Sequence, residues 1–317
     1  MESKKLHEVI KDHIRAYVNY HHIDRPVIPN PEGKLQQLCN GLKDGLNIIG
    51  GRSGMGCSTF ALSLATELAD PTKRVPILYC HFNHSQEVMP LFFRHFNSLC
   101  DWDFPRKTTR EQLDSFYNPA MAKVEGMTFN VMSFYHDMEL SAFKYKLWEY
   151  IRDNRTKYIF IDSVNDFIID HRLTDGLSNE EYICRELREE VEGLDTSIVA
   201  IANLNLSGMY AREEDISRMC SFKGGDLAAY ASNVYLINRP AFYADYDLNK
   251  KELNNDKSFY VHVLGRPNVA PKIVELEFDG EAGRVYDPEY PYWYLSEKRP
   301  QSQDADNSSG KNDDLPF

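Results

Sequence analysis

Long apolar runs are missing from this sequence of 317 residues, and no stretch approaches the roughly 18 apolar residues that a membrane-spanning helix needs. The opening segment, MESKKLHEVIKDHIRAY, carries charges throughout and lacks the apolar centre of a signal peptide. We therefore expect a chain with neither a membrane span nor a secretion signal, located in the cytoplasm.

Closely spaced cysteine pairs are missing as well. The six cysteines are scattered, and none form a CxxC pair, which argues against a disulfide framework and against a zinc site. His81 and His84 follow an apolar run, but no third metal ligand is apparent, so two polar residues after a strand is the simpler interpretation. The cysteines are Cys39, Cys57, Cys80, Cys100, Cys184 and Cys220.

Positive charge is in deficit, because 48 Asp and Glu face 36 Lys and Arg, for a formal net charge of -12. Nucleic-acid affinity depends on neutralising phosphates, so the overall balance argues against non-specific binding to nucleic acid. A local basic loop remains compatible with DNA contact. Hydrophobic residues make up 42 % of the chain, which is enough for a substantial core.

Residues 1–32 are predicted to form an amphipathic helix and a linker. Apolar residues recur at helical spacing from Leu6 to Val18, and a proline-rich connector begins at Pro26. A helix tethered in this way packs either on its own domain or on a neighbouring molecule, and the spacing leaves both arrangements open.

Residues 33–297 are predicted to form one α/β domain. Strand-like and helix-like segments alternate, which is typical of a mainly parallel sheet with helices on both faces. The last two strand-like segments, Phe259–Leu264 and Ile273–Phe278, follow one another and predict an antiparallel edge. The earlier strand candidates are Leu46–Ile49, Val75–Tyr79, Thr128–Met132, Tyr158–Ile161, Ser197–Ala202 and Val234–Ile237, and the helix candidates are Phe60–Leu68, Val88–Leu99, Leu140–Arg152 and Glu180–Leu194.

The segment Gly51–Ser58, here called the phosphate loop, has the spacing G-x-x-x-x-G-K-[ST] except that Cys57 stands where lysine belongs. Glycines let the backbone wrap a phosphate, and a helix N-terminus adds partial positive charge. Ser58 is placed to supply the hydroxyl for Mg²⁺. The alternative is a glycine-rich strand–helix turn without a ligand. The candidate nucleotide-binding residues here are Gly51, Gly54, Gly56, Cys57, Ser58 and Thr59.

Replacing the lysine removes a point charge from the β and γ phosphates. A unit charge at ~4 Å is worth on the order of 4 kcal/mol near a protein surface. Cysteine cannot supply that charge, and Arg52 leaves the loop at a different place.

An ordered series of motifs resembles the C-terminal ATPase domain of the DnaB helicase family. GRSGMGCSTFAL is similar to the family's G-R-P-x-M-G-K-T and A-F-A-L, and SIVAIANLN to its V-I-A-L-S-Q-L-N. FKGG…NV resembles L-R-x-S-G…D-A-D-V, and GRPNVAPKIVELEFDG resembles the closing strand pair. The similarity extends from Gly33 to Asp287. It implies a RecA-like fold, an oligomeric ring, and work in DNA replication or repair.

The resemblance also implies roles for two strand ends. Tyr158–Asp162 looks like the Walker B strand, whose Asp162 would share Mg²⁺ with Ser58 beside ATP. Asn203 stands at the sensor position, where the family usually has glutamine. For Asp162 the alternative is an ordinary turn or cap residue after a strand.

Departures from the family cluster at the chemistry. Asn83 aligns with the catalytic glutamate, and asparagine cannot take a proton from water at neutral pH. Arg266 lies near the family's arginine finger, but the alignment slips there by one residue and a lysine is absent. We infer a weak or absent ATPase. The alternatives are an active ATP-dependent DNA translocase working as a ring and a sensor that binds ATP without turnover.

A candidate DNA contact lies between residues 206 and 225, where family members line the ring channel. Arg212, Arg218 and Lys223 are the basic residues, but Glu213 to Asp215 nearly neutralise them. A loop that is merely solvated is therefore the alternative to binding of single-stranded DNA.

Residues 298–317 are polar and acidic, and we expect disorder there. The tip resembles that of bacterial single-stranded-DNA-binding proteins, which end in D-D-[IL]-P-F. Such a peptide hook places its phenylalanine in an apolar pocket and its acids on a basic rim, so we expect partners among DNA replication and repair proteins. An ordinary solvated tail is the alternative. The hook residues are Asp313, Asp314, Leu315, Pro316 and Phe317.

Overall fold

The structure is a computed structural model, and parts of the chain lie outside its described residues. The described residues are 33–42, 44–72, 75–82, 91–92, 94–96, 109, 111, 118, 122, 124–134, 138–169, 174, 176–205, 221–244, 256–265, 272–290 and 292. The predicted N-terminal helix and the acidic tail with its hook therefore lie outside them.

Five α-helices and one sheet have defined bounds within the described residues. Its strands are β1 (Gly45–Gly51), β2 (Ile77–His81), β3 (Phe129–Ser133), β4 (Tyr158–Asp162), β5 (Ser197–Asn203), β6 (Asn233–Asn238), β7 (Ser258–Leu264), β8 (Lys272–Asp279) and β9 (Arg284–Tyr286). The helices are α1 (Lys34–Gly41), α2 (Cys57–Leu68), α3 (Leu140–Asn154), α4 (Asn179–Val191) and α5 (Pro240–Ala244), with 3-10 turns at Val164–Asp166 and Leu227–Tyr230.

The nine strands lie in the order β3-β2-β4-β5-β1-β6-β7-β8-β9. The first six pair in parallel, whereas β7, β8 and β9 join as an antiparallel edge. This arrangement confirms the predicted α/β fold with a mainly parallel sheet and an antiparallel edge. The two predicted edge strands agree with β7 and β8 to within one residue at each end.

Both faces of the sheet are covered, which explains why the central strands read as continuous apolar runs. In β1, Ile49 packs with α1 and α2 on one face, while Leu46 and Ile48 pack with α3 and α4 on the other. The edge strand β3 is more open, and its Val131 is 39 % exposed.

Helix α4 shows how local sequence sets the element bounds. Ser178 accepts a hydrogen bond from the Glu181 amide (3.0 Å), and the Glu181 carboxylate accepts one from the Ser178 amide (3.1 Å). This capping box starts the helix. The sequence pattern predicted that the helix continues to Leu194, but it ends at Val191 because Gly193 adopts a left-handed φ of +82°.

The carboxyl ends of the parallel strands lie along one edge of the sheet, where α/β folds place their ligand sites. Gly51 ends β1, Asp162 ends β4 and Asn203 ends β5, so three of the predicted site residues share this edge.

No helix among the described residues is long and apolar enough to cross a membrane.

Candidate functional site

The phosphate loop connects β1 to α2 and has the backbone shape of an anion cradle. Gly54 and Gly56 adopt left-handed φ values of +81° and +104°. Gly56 is the N-cap of α2, and no side chain caps the helix start. The first-turn amides and the positive end of the helix dipole therefore point toward the loop.

Cys57 occupies the lysine position as a neutral side chain. A Cβ atom added at Gly51 would lie 2.5 Å from the Cys57 sulfur, so the thiol rests against the end of β1. Burial raises the pKa of the Cys57 thiol to about 12, and the nearby Asp162 carboxylate acts in the same direction. At neutral pH the position therefore carries a thiol without charge.

Two aromatic side chains, Phe242 and Phe278, pack against the phosphate loop. A Cβ atom at Gly56 would lie 3.0 Å from Phe278, and one at Gly54 would lie 3.3 Å from Phe242. The Arg239 guanidinium lies 4.3 Å from the centre of the Phe278 ring and donates to the Gly54 carbonyl at 3.4 Å. Arg239 thus brings a cation to the loop, but its hydrogen bond is to the loop backbone.

Arg239 was not predicted as a site residue. It follows β6, the strand beside β1, so an arginine after that strand was the available signal.

Asp162 lies next to Ser58, as expected for residues that share a magnesium ion. The Ser58 hydroxyl and the Tyr79 hydroxyl both hydrogen-bond to the Asp162 carboxylate, the latter at 3.2 Å. Burial raises the pKa of Asp162, these two hydrogen bonds oppose the rise, and the charge of Asp166 adds to it. The carboxylate is therefore held by two hydroxyl donors within the protein.

Tyr79 was not predicted as a site residue. It lies in β2, fully buried, with its ring stacked on Phe160 at 6.0 Å and on Phe129 at 6.3 Å. Burial and the Asp162 charge both raise the pKa of its hydroxyl, which keeps it a donor. Its place in an apolar strand gave no sequence signal that its hydroxyl would reach Asp162.

His81 ends β2 and hydrogen-bonds to Ser133, with 2.7 Å between its Nε2 atom and the serine Oγ. In the parallel ladder His81 lies opposite Asp162 on one side and Ser133 on the other. Among the described residues no group of three or more His, Cys, Asp or Glu side chains could hold a metal ion directly.

Asn203 ends β5, two strands from β2, and is hydrogen-bonded to Asn165, three residues after Asp162. Its amide donates to the Asn165 side-chain oxygen at 2.9 Å, and its carbonyl accepts from the Lys223 amide at 2.8 Å. Lys223, a predicted DNA contact, is exposed. Asn203, at the predicted sensor position, is thus in direct contact with Lys223, near the end of the candidate DNA segment 206–225.

Magnesium–ATP fits part of this site. The glycine cradle suits phosphate oxygens, and the Ser58–Asp162 pair suits the oxygen ligands that Mg²⁺ prefers. Cys57 does not fit, since it offers no charge to the phosphates. Asn83, Arg266, Arg212 and Arg218 lie outside the described residues, so their proposed roles stay predictions.

A family model described as the DnaB-like helicase C terminal domain matches residues 29–287. A solved structure of an ATPase domain superimposes with a TM-score of 0.67 at 15 % identity, covering 90 % of this chain and 99 % of that one. A second solved structure, described as a DnaB-like replicative helicase and its interactions with primase, superimposes with a TM-score of 0.66 at 16 % identity. The superposition covers 90 % of this chain and 67 % of that one. At such identities these structures show the fold. No curated protein matches the chain.

Proposed function

Because the chain belongs to the DnaB-like helicase C-terminal domain family, we propose that it is a helicase-like protein of DNA replication or repair with a degenerate ATPase site. It hydrolyses ATP weakly or not at all, and it recruits partner proteins through its C-terminal tip. The protein then acts through the surfaces that bind its partners more than through ATP hydrolysis.

The neutral thiol of Cys57 is the observation that carries this proposal. The loop retains the backbone shape for phosphates, but its lysine position lies against Gly51 without a charge. The lost interaction is worth on the order of 4 kcal/mol at ~4 Å. Catalysis loses more than binding, because charge accumulates on the phosphoryl oxygens in the transition state.

The glutamate position supports the same conclusion from the sequence. Asn83 carries an amide that cannot accept a proton from the attacking water. A site without the phosphate-loop lysine and without its base lacks two separate contributions to phosphoryl transfer.

The retained Ser58–Asp162 pair supports weak binding of ATP with Mg²⁺. Both residues present oxygen ligands at the strand edge beside the cradle. This pair also favours the second candidate function, an active ATP-driven DNA translocase that works as a homo-oligomeric ring with unusual residues.

The deciding experiment measures ATP binding and hydrolysis stimulated by single-stranded DNA in the unmodified chain and in Cys57→Lys. We expect negligible turnover in the unmodified chain and tighter ATP binding in the lysine variant. Cys57→Ser is the matched control, since it removes the thiol without adding charge and leaves affinity unchanged. Robust turnover by the unmodified chain would establish the translocase instead.

The proposed hook has a separate test. Deleting Leu315–Phe317 should abolish binding to a purified genome-maintenance protein that recognises D-D-[IL]-P-F tips. A deletion of equal length at residues 301–303 is the control, because it shortens the tail and keeps the tip. Equal binding by both deletions would remove the hook from the proposal.

A further inference from the structure

The turn Ser221–Asp226 is joined to the end of β5 by a short antiparallel ladder. The Asn205 amide donates to the Ser221 carbonyl at 2.8 Å, and the Lys223 amide donates to the Asn203 carbonyl at 2.8 Å. Phe222 lies fully buried between them and bridges to Leu204. The backbone that presents Lys223 is therefore fixed relative to β5.

Two glycines let the same turn lie on the N-terminus of α4. Gly224 and Gly225 have φ values of +92° and +121°. A Cβ atom at Gly224 would lie 2.6 Å from the Cβ atom of Glu180, and one at Gly225 would lie 2.6 Å from the Glu181 carboxylate. The Asp226 amide also donates to the Glu181 carboxylate at 3.1 Å, so both close packing and a hydrogen bond join the turn to α4.

Asn165 connects this turn to the strand that carries Asp162. It lies in the 3-10 turn Val164–Asp166, which directly follows that strand. Its side-chain oxygen accepts from the Asn203 amide at 2.9 Å, and its side-chain nitrogen donates to Glu180 at 3.3 Å. One amide thus contacts both the end of β5 and the glutamate beneath Gly224.

The 3-10 turn itself is fixed at its start. The Asp166 carboxylate accepts from the Ser163 amide at 3.1 Å and from the Ser163 hydroxyl at 2.7 Å. Only Ser163 and Val164 separate Asp162 from Asn165, and this capping box fixes the backbone of that short segment. The group of Asn165, Glu180, Asn203 and Gly224 is called the strand-end clamp below.

We propose that Asn165 is a positioning residue that couples the Ser58–Asp162 site to the Lys223 turn. This inference rests on the proposed function for its two ligands, magnesium–ATP at the phosphate loop and the phosphate backbone of a single strand at Lys223. A ligand that shifts the end of β4 shifts Asn165, and Asn165 shifts Asn203 and the turn. By linkage, each ligand then changes the affinity of the other by the same factor.

The test uses the full chain carrying Cys57→Lys, so that the loop charge is restored. The dissociation constant of labelled oligo-dT is measured with and without saturating magnesium–ATP, and amide hydrogen exchange is followed at Asn203 and Lys223. We expect magnesium–ATP to change the oligonucleotide affinity on the order of fivefold or more. Asn165→Ala should bring that ratio close to one and speed exchange at the Asn203 amide.

Two further variants make the result specific. Asn165→Asp keeps the acceptor for the Asn203 amide but loses the donor to Glu180. It should therefore reduce the ratio of oligonucleotide affinities only partly. It also serves as the test variant if Asn165→Ala fails to fold. Asn154→Ala is the control, because it removes an exposed asparagine that bonds only locally to the Tyr150 carbonyl at the end of α3. It should leave the ratio unchanged.

An unchanged ratio in both Asn165 variants, or no effect of magnesium–ATP in the parent chain, would overturn the coupling. Turnover by the chain with native Cys57 is measured beside it. Strong turnover contradicts the proposed function and leaves the coupling standing, so the two failures are distinguishable.

Discussion

The phosphate loop and the strand-end clamp lie along the same edge of the sheet, but they differ in backbone shape, charge and side-chain hydrogen bonding. The loop keeps its backbone shape, with Gly54 and Gly56 in left-handed conformations, while the position of its cation holds a neutral thiol. The clamp keeps a continuous set of side-chain hydrogen bonds through Asn165. Shape and charge are therefore separable properties of a nucleotide site, and a fold can preserve one without the other.

Thiol reactivity gives the largest expected effect and tests the loop side of the comparison. With a pKa of about 12, Cys57 in the folded chain should react with iodoacetamide at pH 8 about 1,000-fold more slowly than in the urea-unfolded chain, because the thiolate is the nucleophile. Peptide mass spectrometry follows each cysteine separately. Equal rates in folded and unfolded protein would mean that the fold neither shields the Cys57 thiol nor raises its pKa.

Glycine substitutions compare the two regions directly. Gly224→Ala should cost on the order of 3 kcal/mol of unfolding free energy, since it adds a clash with Glu180 to the strain of a positive φ. Gly54→Ala meets only the Phe242 ring at 3.3 Å and should cost less.

Gly176→Ala is the matched control for strain alone. Its φ is +81°, and an added Cβ atom would meet no atom of the described residues within 4 Å, so we expect about 1 kcal/mol. Urea denaturation measures all three. Equal costs at residues 224 and 176 would show that the turn moves freely away from α4.

His95 provides a pH test outside both regions. It is fully buried, its Nδ1 atom lies 3.2 Å from the Gly283 carbonyl, and burial lowers its pKa from 6.5 to about 3. The His95 imidazole is therefore neutral in the folded chain at pH values where it is protonated in the unfolded chain. The stability from neutral His95 is complete above pH 6.5 and is lost as the pH falls from 6.5 toward 3.

The expected slope is about 1.4 kcal/mol per pH unit within that window. His95→Gln cannot titrate and can still donate to the carbonyl, so its stability should fall less steeply. Urea midpoints at about pH 7, 6 and 5, which run from just above the window into its upper half, measure the difference. Parallel curves would assign the acid sensitivity to other groups.

Tyr79→Phe gives the smallest expected effect. It removes one hydroxyl donor from the Asp162 carboxylate, which is worth about 1.5 kcal/mol for a hydrogen bond to a charged group at this distance. The pKa of Asp162 should rise further, because its carboxylate loses a stabilising bond. Carbonyl NMR of labelled aspartate follows that titration, and Tyr145→Phe on the exposed face of α3 is the control. An unmoved Asp162 pKa would mean that Ser58 alone holds the carboxylate.

The fold was largely predictable because burial on both faces leaves a periodic apolar signal. Alternating segments predicted the parallel strands, and two adjacent strand-like segments predicted the antiparallel edge. The misplaced end of α4 came from Gly193, whose left-handed conformation the apolar pattern does not report.

The site was predictable only where its residues belong to a recognisable motif, here the phosphate loop and the strand that resembles Walker B. Ser58 and Asp162 were expected to lie together, and they share a hydrogen bond. Tyr79, Arg239 and Asn165 belong to no such motif, and they were missed because only the folded sheet brings them to partners 83, 185 and 38 residues away along the chain.

The sequence by itself determined the α/β pattern, the spacing of the phosphate loop and the loss of its lysine, because these depend on residue type and local periodicity. Only the tertiary structure decided that the Cys57 thiol rests against Gly51 with a raised pKa, that Tyr79 holds Asp162, and that Asn165 links two strand ends. Those properties depend on burial and on distances between side chains of different strands, and the sheet order that sets them is formed only when the whole chain folds.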